Sequence, residues 1–109
     1  MEQLLSLTNR PDALYVAGDY AALGAQQVLL ENKIKIPEEI ALVGFGNEPF
    51  TAMVSPSITS VHQCSDEIGK KAAAAFLAYT KKEFVQQSLN KIILNAKLIV
   101  RDSSNIFLT

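Results

Sequence analysis

Cysteine and histidine occur once each in the 109-residue chain, as Cys64 and His62. A lone cysteine forms no internal disulfide and suits a reducing compartment. One Cys and one His fall short of the four ligands of a structural zinc site. Long apolar runs are missing too. The longest, around Ala72–Ala78, is far below the ~20 residues that a membrane-crossing helix needs. The first residues, MEQLLSLTNRPDA, are acidic before they are apolar and carry no basic n-region. They do not read as a signal peptide, so a cytoplasmic location and no membrane partner are expected. An excess of positive charge is also lacking. Ten basic and eleven acidic residues leave a net charge of −1. That argues against this chain alone embracing a nucleic-acid backbone. The lysine pairs Lys33/Lys35, Lys70/Lys71 and Lys81/Lys82 lie near acids and read as solvated helix faces.

What remains is ordinary for one small globular domain: 49% apolar and 19% charged residues. Residues 2–8 look like the last turns of a helix. Thr8-Asn9-Arg10-Pro11-Asp12 is a cluster of turn formers. Ala13–Ala17 is short and apolar and reads as a buried strand. Gly18 permits a tight turn, and Asp19 is placed to N-cap a helix running through Leu30. On that helix Ala22, Ala25 and Leu29 share one face, and Leu23 and Leu30 another, which predicts cover on both sides. Asn32-Lys33 ends it. A second apolar strand, Ile40–Phe45, follows at the spacing of a βαβ unit of roughly 30 residues. Neither strand alternates apolar with polar, the pattern of a parallel sheet covered on both faces.

A third strand is predicted at Ile58–Val61. Ser65 is placed to cap a further helix to about Lys82, with Asp66 and Glu67 in its first turn. Ile68, Ala72, Ala75, Phe76 and Tyr79 form its buried-type stripe. Extended runs are predicted at Lys91–Leu94 and Lys97–Arg101. No repeat and no low-complexity linker interrupts the chain.

Candidate chemistry is sparse. Gly44-Phe45-Gly46 lacks the third glycine and following helix of a dinucleotide fingerprint, because Pro49 and Phe50 come next. His62 and Cys64 beside Asp66 pair a base with a thiol, yet nothing else completes a catalytic set. No catalytic residue, cofactor or metal is therefore expected. Asp19 reads first as a helix cap. Its second reading is positional: with Gly18 it follows the first strand, while Gly46 follows the second, and open α/β sheets bind ligands outside the carboxyl ends of their strands.

The order of blocks is more specific than any one of them. RPDALYVAGDYAALGAQQVL, KIPEEIALVGFGNEPF, SPSITSVHQ, EIGKKAAAAFL and KLIVRDSS follow one another from Arg10 to Ser104. This series resembles the C-terminal part of the LacI/GalR family of bacterial transcriptional regulators. The resemblance implies an α/β fold of type I periplasmic-binding-protein character. Its three-layer, Rossmann-like parallel sheet would be incomplete here. It places residues 10–62 and 98–104 in the C-terminal subdomain of one partial effector-binding domain. Residues 66–95 would belong to a crossover of the N-terminal subdomain, with His62 and Gln63 at the hinge.

The resemblance further implies a small-molecule effector, of carbohydrate type, bound near Gly18, Asp19, Gly46 and Asn47. Family members often carry Asn at the position of Gly18. They very commonly carry Asp, an effector ligand, at the position of Gly46, so effector identity does not transfer. It implies a homodimer or higher homo-oligomer, with candidate contacts at Leu23, Phe50, Met53 and Val54. Phe76 on the apolar stripe is a separate candidate. Operator DNA would be reached only through an N-terminal headpiece that these residues do not include. A periplasmic-type sugar-binding protein without DNA function is the rival reading. A small Rossmann-like enzyme is a second, for which a catalytic constellation is lacking.

Overall fold

The computed structural model describes residues 1–81 and 91–107. The elements are α1 (Glu2–Leu5), β1 (Ala13–Tyr15), α2 (Asp19–Glu31), β2 (Ala41–Phe45), a 3₁₀ turn (Pro49–Ala52), β3 (Thr59–His62), α3 (Ser65–Thr80) and β4 (Lys97–Ile99). They form two units, Met1–His62 with Leu98–Thr109 and, separately, Gln63–Lys97. The expected extended run at Lys91–Leu94 has no regular structure, and the end of the helix expected to reach Lys82 falls at Thr80.

In the first unit the sheet order is β1-β2-β3-β4. β1 and β2 are parallel with Ala13 opposite Ala41, and β2 and β3 are parallel with Val43 opposite Thr59. Parallel neighbours need a crossover, and α2 supplies the one between β1 and β2. Ala22, Ala25, Gln26 and Leu29 form its buried face. Leu29, Ile34 and Ile40 make a buried cluster, packed by Met1, Leu5, Leu14 and Ile36. Leu29, Ile40, Leu42 and Ile58 are fully buried, each contributing about 1.5–3 kcal/mol.

Cover is one-sided where the sequence predicts two. In β2, Leu42 and Gly44 are buried while Ala41, Val43 and Phe45 are half-buried; in β1, Ala13 and Tyr15 are exposed. Leu30 is exposed as well. The apolar runs record a sheet built to be covered twice, whereas the described residues of this unit place the packed helix face of α2 on one side only.

The helix ends also differ from expectation. α2 is capped by Gly18 in extended conformation, and Asp19 is already inside the helix with no side-chain cap bond. α3 is likewise capped by Cys64, in the left-handed region at φ 55°, rather than by Ser65. The end of α2 is a Schellman turn. Lys33 sits at φ 57°, Ile34 N donates to Leu29 O at 2.9 Å and Lys33 N to Leu30 O at 3.0 Å. The apolar contact that accompanies this motif is present, because Ile34 and Leu29 share the core cluster.

The second unit contains α3, whose residues are all at least partly exposed. Its expected buried stripe is open: Ile68 is 48% exposed and Phe76 65%. Cys64 donates to the Asn95 carbonyl at 3.5 Å.

Candidate functional site: the carboxyl edge of the sheet

Because β1, β2 and β3 run parallel, their carboxyl ends share one edge. Gly18 and Asp19 follow β1, Gly46 and Asn47 follow β2, and His62 ends β3. The loop after β2 is held by backbone and side chain together. Gly46 N donates to Val61 O at 2.9 Å, Asn47 N to Ser60 Oγ at 3.0 Å, and Glu48 N to Asp19 Oδ2 at 2.7 Å. Ser60 Oγ in turn donates to Asp19 Oδ1 at 2.7 Å. Two carboxylate oxygens thus tie α2 to two neighbouring segments of the edge.

Asp19 is 2% exposed, so its carboxyl group is turned into the protein. It lies in the first turn of α2, where the helix dipole favours an anion. Two accepted hydrogen bonds offset its desolvation. This role was not expected: the carboxylate serves as a tie between segments, and Gly18 is the cap.

Asn47 is half-buried at φ 56°. Arg101 Nη2 donates to Asn47 Oδ1 at 2.7 Å, and Asn47 Nδ2 stands 3.2 Å from His62 Nδ1. Arg101 also donates through Nη1 to Thr51 Oγ1 at 3.0 Å and to Ile58 O at 2.8 Å. Asn47 therefore spends both ends of its amide inside the protein. Behind it, the segment after β4 joins two strands. Ser103 Oγ donates to Leu42 O at 2.6 Å and accepts from Thr59 N at 2.8 Å.

Asp19, Gly46, Asn47 and His62 are thus brought together, with Gly18 at the cap beside Asp19. Ser60, Arg101 and Ser103 complete the network and carried no role in the sequence reading. Gly18 and Gly46 differ in kind. A Cβ on Gly18 would meet nothing within 4 Å, and its φ of −160° suits any residue, so the turn does not require glycine. Gly46 has φ +122°, and a Cβ there would lie 3.4 Å from Asp19 Oδ2.

Of the expected interface residues, Phe50 packs ring to ring on Tyr20, with centroids 5.0 Å apart. Leu23, Phe50 and Val54 are half-buried, and Met53 is 79% exposed. Phe76 lies in the other unit, and so does Gln63, which is exposed. A separate apolar hollow of about 410 Å³ opens between α1, β1 and α2, lined by residues including Leu4, Leu14, Tyr15 and Val28. It lacks the converging polar groups of a small-molecule site. Among the described residues no group of three or more His, Cys, Asp or Glu could hold a metal ion. No helix among them is long and apolar enough to cross a membrane.

Open α/β sheets bind ligands outside the carboxyl ends of their strands, and that edge carries a glycine-bearing, hydrogen-bonded loop here. Residues 1–104 match the family described as a periplasmic binding protein-like domain. The ribose operon repressor of Escherichia coli (strain K12) is 31% identical over 87 residues, covering 80% of this chain and 26% of the repressor. The transcription regulator CcpA of Lactococcus lactis superposes with a TM-score of 0.84 at 27% identity, covering 94% of this chain and 36% of that one. A LacI family transcriptional regulator from Lactobacillus casei, solved with bound sucrose, gives 0.76 at 31% identity, covering 94% and 38%. The chain belongs to the LacI/GalR family of transcriptional regulators, within their periplasmic-binding-protein-like domain. It spans about a quarter of the ribose repressor's length.

Proposed function

We propose that this chain is the effector-binding and dimerising part of a cytoplasmic bacterial transcriptional regulator that senses a sugar, and that it is not an enzyme. Residues 66–95 are read as the crossover segment and His62-Gln63 as the hinge. The observation that carries the effector reading is the convergence of Gly18, Gly46, Asn47 and His62 at one carboxyl edge, braced from behind by Asp19 and Arg101. Similar structures hold sugars: sucrose in the Lactobacillus casei regulator, cellobiose in a complex of the regulator CelR. In this reading Gly18, Gly46 and the Asn47 backbone form the floor of one cleft wall, and Asp19 supports it without touching the effector. Operator DNA is reached through a separate headpiece.

Amide chemical-shift mapping with ribose, glucose, cellobiose and sucrose tests the reading. One wall of a two-walled clamp retains about half the contacts of a micromolar site, which leaves a Kd near or above ~1 mM. Saturable shifts at Gly46, Asn47 and His62 are expected for at least one sugar. Shifts confined to other surfaces, or none with any sugar, overturn it.

A further inference from the structure

We propose that Arg101, acting through Asn47, fixes the tautomer of His62 so that this edge presents an imidazole N–H, and that His62 is thereby a hydrogen-bond donor toward an acceptor group of the effector. Arginine has donors only. With Arg101 Nη2 at 2.7 Å, the Asn47 atom facing it must be the carbonyl Oδ1. The amide NH₂ then points the other way, to His62 Nδ1 at 3.2 Å. Two donors cannot share that contact, so Nδ1 is the acceptor and the neutral ring carries its proton on Nε2.

Nε2 has no hydrogen-bond partner among the described residues and is not a buried unsatisfied atom, so it meets solvent. His62 is half-buried at the end of β3, the edge that Gly18 and Gly46 also reach. An effector atom set against Nε2 must accept a hydrogen bond: a carbonyl, ether, hydroxyl or carboxylate oxygen. The opposite tautomer would offer a lone pair there and select a donor instead. A site that hydrogen-bonds its ligand rejects mismatched analogues strongly, so the relay writes specificity from behind the cleft. Arg101 and Asn47 are positioning residues in this scheme.

The tautomer stands on the hydrogen bonds alone; its consequence for an effector rests on the function proposed above. His62 is the sole histidine, so a long-range ¹H–¹⁵N spectrum of the imidazole, recorded where the ring is neutral, reads one residue. The expected pattern has Nε2 protonated and Nδ1 bare. Asn47→Asp keeps the shape but offers the ring an acceptor, so the proton moves to Nδ1 or the ring becomes charged. Asn47→Gln, with its amide restored, returns the proton to Nε2. A wild-type ring protonated on Nδ1, or a pattern that Asn47→Asp leaves unchanged in a folded protein, overturns the relay. If the relay holds, titration with glucose, cellobiose and sucrose reads its consequence. Sugar shifts that reach Gly46 but leave Nε2 unmoved overturn the donor role alone.

Discussion

The Asp19 carboxylate occupies the space into which a Gly44 side chain would project. A Cβ on Gly44 would collide with Asp19 Oδ1 and stand 3.3 Å from Ala22 Cβ. Oδ1 cannot retreat freely, because the Ser60 hydroxyl is bonded to it. Gly44→Ala is therefore expected to lower unfolding stability by about 1–3 kcal/mol, as overpacking at a fixed site does. Urea denaturation with an unchanged m-value checks it. Gly18→Ala, where the space is open, is the contrast in mechanism: with no clash to relieve, it loses only the preference for glycine over alanine at the cap of α2, about 0.5–1 kcal/mol.

Gly46 governs whether the carboxylate common in the family can be restored. At φ +122° an L side chain is strained whatever the space, at about 1–2 kcal/mol. A carboxylate there would also lie beside buried Asp19. Gly46→Asp should thus destabilise the chain and weaken, rather than strengthen, any sugar-dependent shift at Asn47. A variant of unchanged stability with tighter sugar binding would mean that the loop re-forms around the new side chain.

Local patterns made much of this fold legible and left the network hidden. The apolar run Ile40–Phe45 marked β2 to within one residue, because a short apolar run bounded by turn residues reads as a strand. The spacing of Ala22, Ala25 and Leu29 identified the packed face of α2. Each cap lies one residue before the expected one: Gly18 for Asp19, where both types suit a helix start, and Cys64 for Ser65, where no cap preference marks the cysteine. Asp19 was singled out, but its partners lie 29 and 41 residues away in Glu48 and Ser60. Arg101 was overlooked for the same reason: the groups that its guanidinium bonds, the Ile58 carbonyl and the Thr51 and Asn47 side chains, precede it by 43, 50 and 54 residues. Periodicity marked α3 as amphipathic, but a stripe says only that a helix should be covered, not by what.

Lys33 offers a stabilising change. It holds the left-handed position of the Schellman turn, where a side chain costs about 1 kcal/mol and glycine costs nothing. Both bonds of the turn are made by backbone, so they survive loss of the side chain. Lys33→Gly should raise stability by a few tenths to about 1 kcal/mol, the gain being offset in part by greater freedom in the unfolded chain. A higher thermal midpoint with an unchanged far-ultraviolet spectrum checks this; a loss of stability would mean that the lysine stem covers apolar surface of the turn.

The apolar stripe of α3 leads to the last prediction. Ile68 and Phe76 are 48% and 65% exposed. Burying residues such as Ile and Phe contributes about 1.5–3 kcal/mol each, against a total stability of about 5–15 kcal/mol for a small domain. Covering the stripe with a second copy recovers that term, and two-fold pairing is the simplest closed arrangement. The chain is therefore expected to scatter light as a dimer or larger assembly at micromolar concentration, and a mass of 11.9 kDa would end the idea. Phe76→Asp separates two interfaces. If the stripe carries the contact, a charge at Phe76 releases monomer, while Met53→Asp, on the patch with Leu23, Phe50 and Val54, leaves the assembly intact. The reverse result assigns the interface to the Met53 patch, which is 79% exposed at that residue and lies in the other unit of the chain.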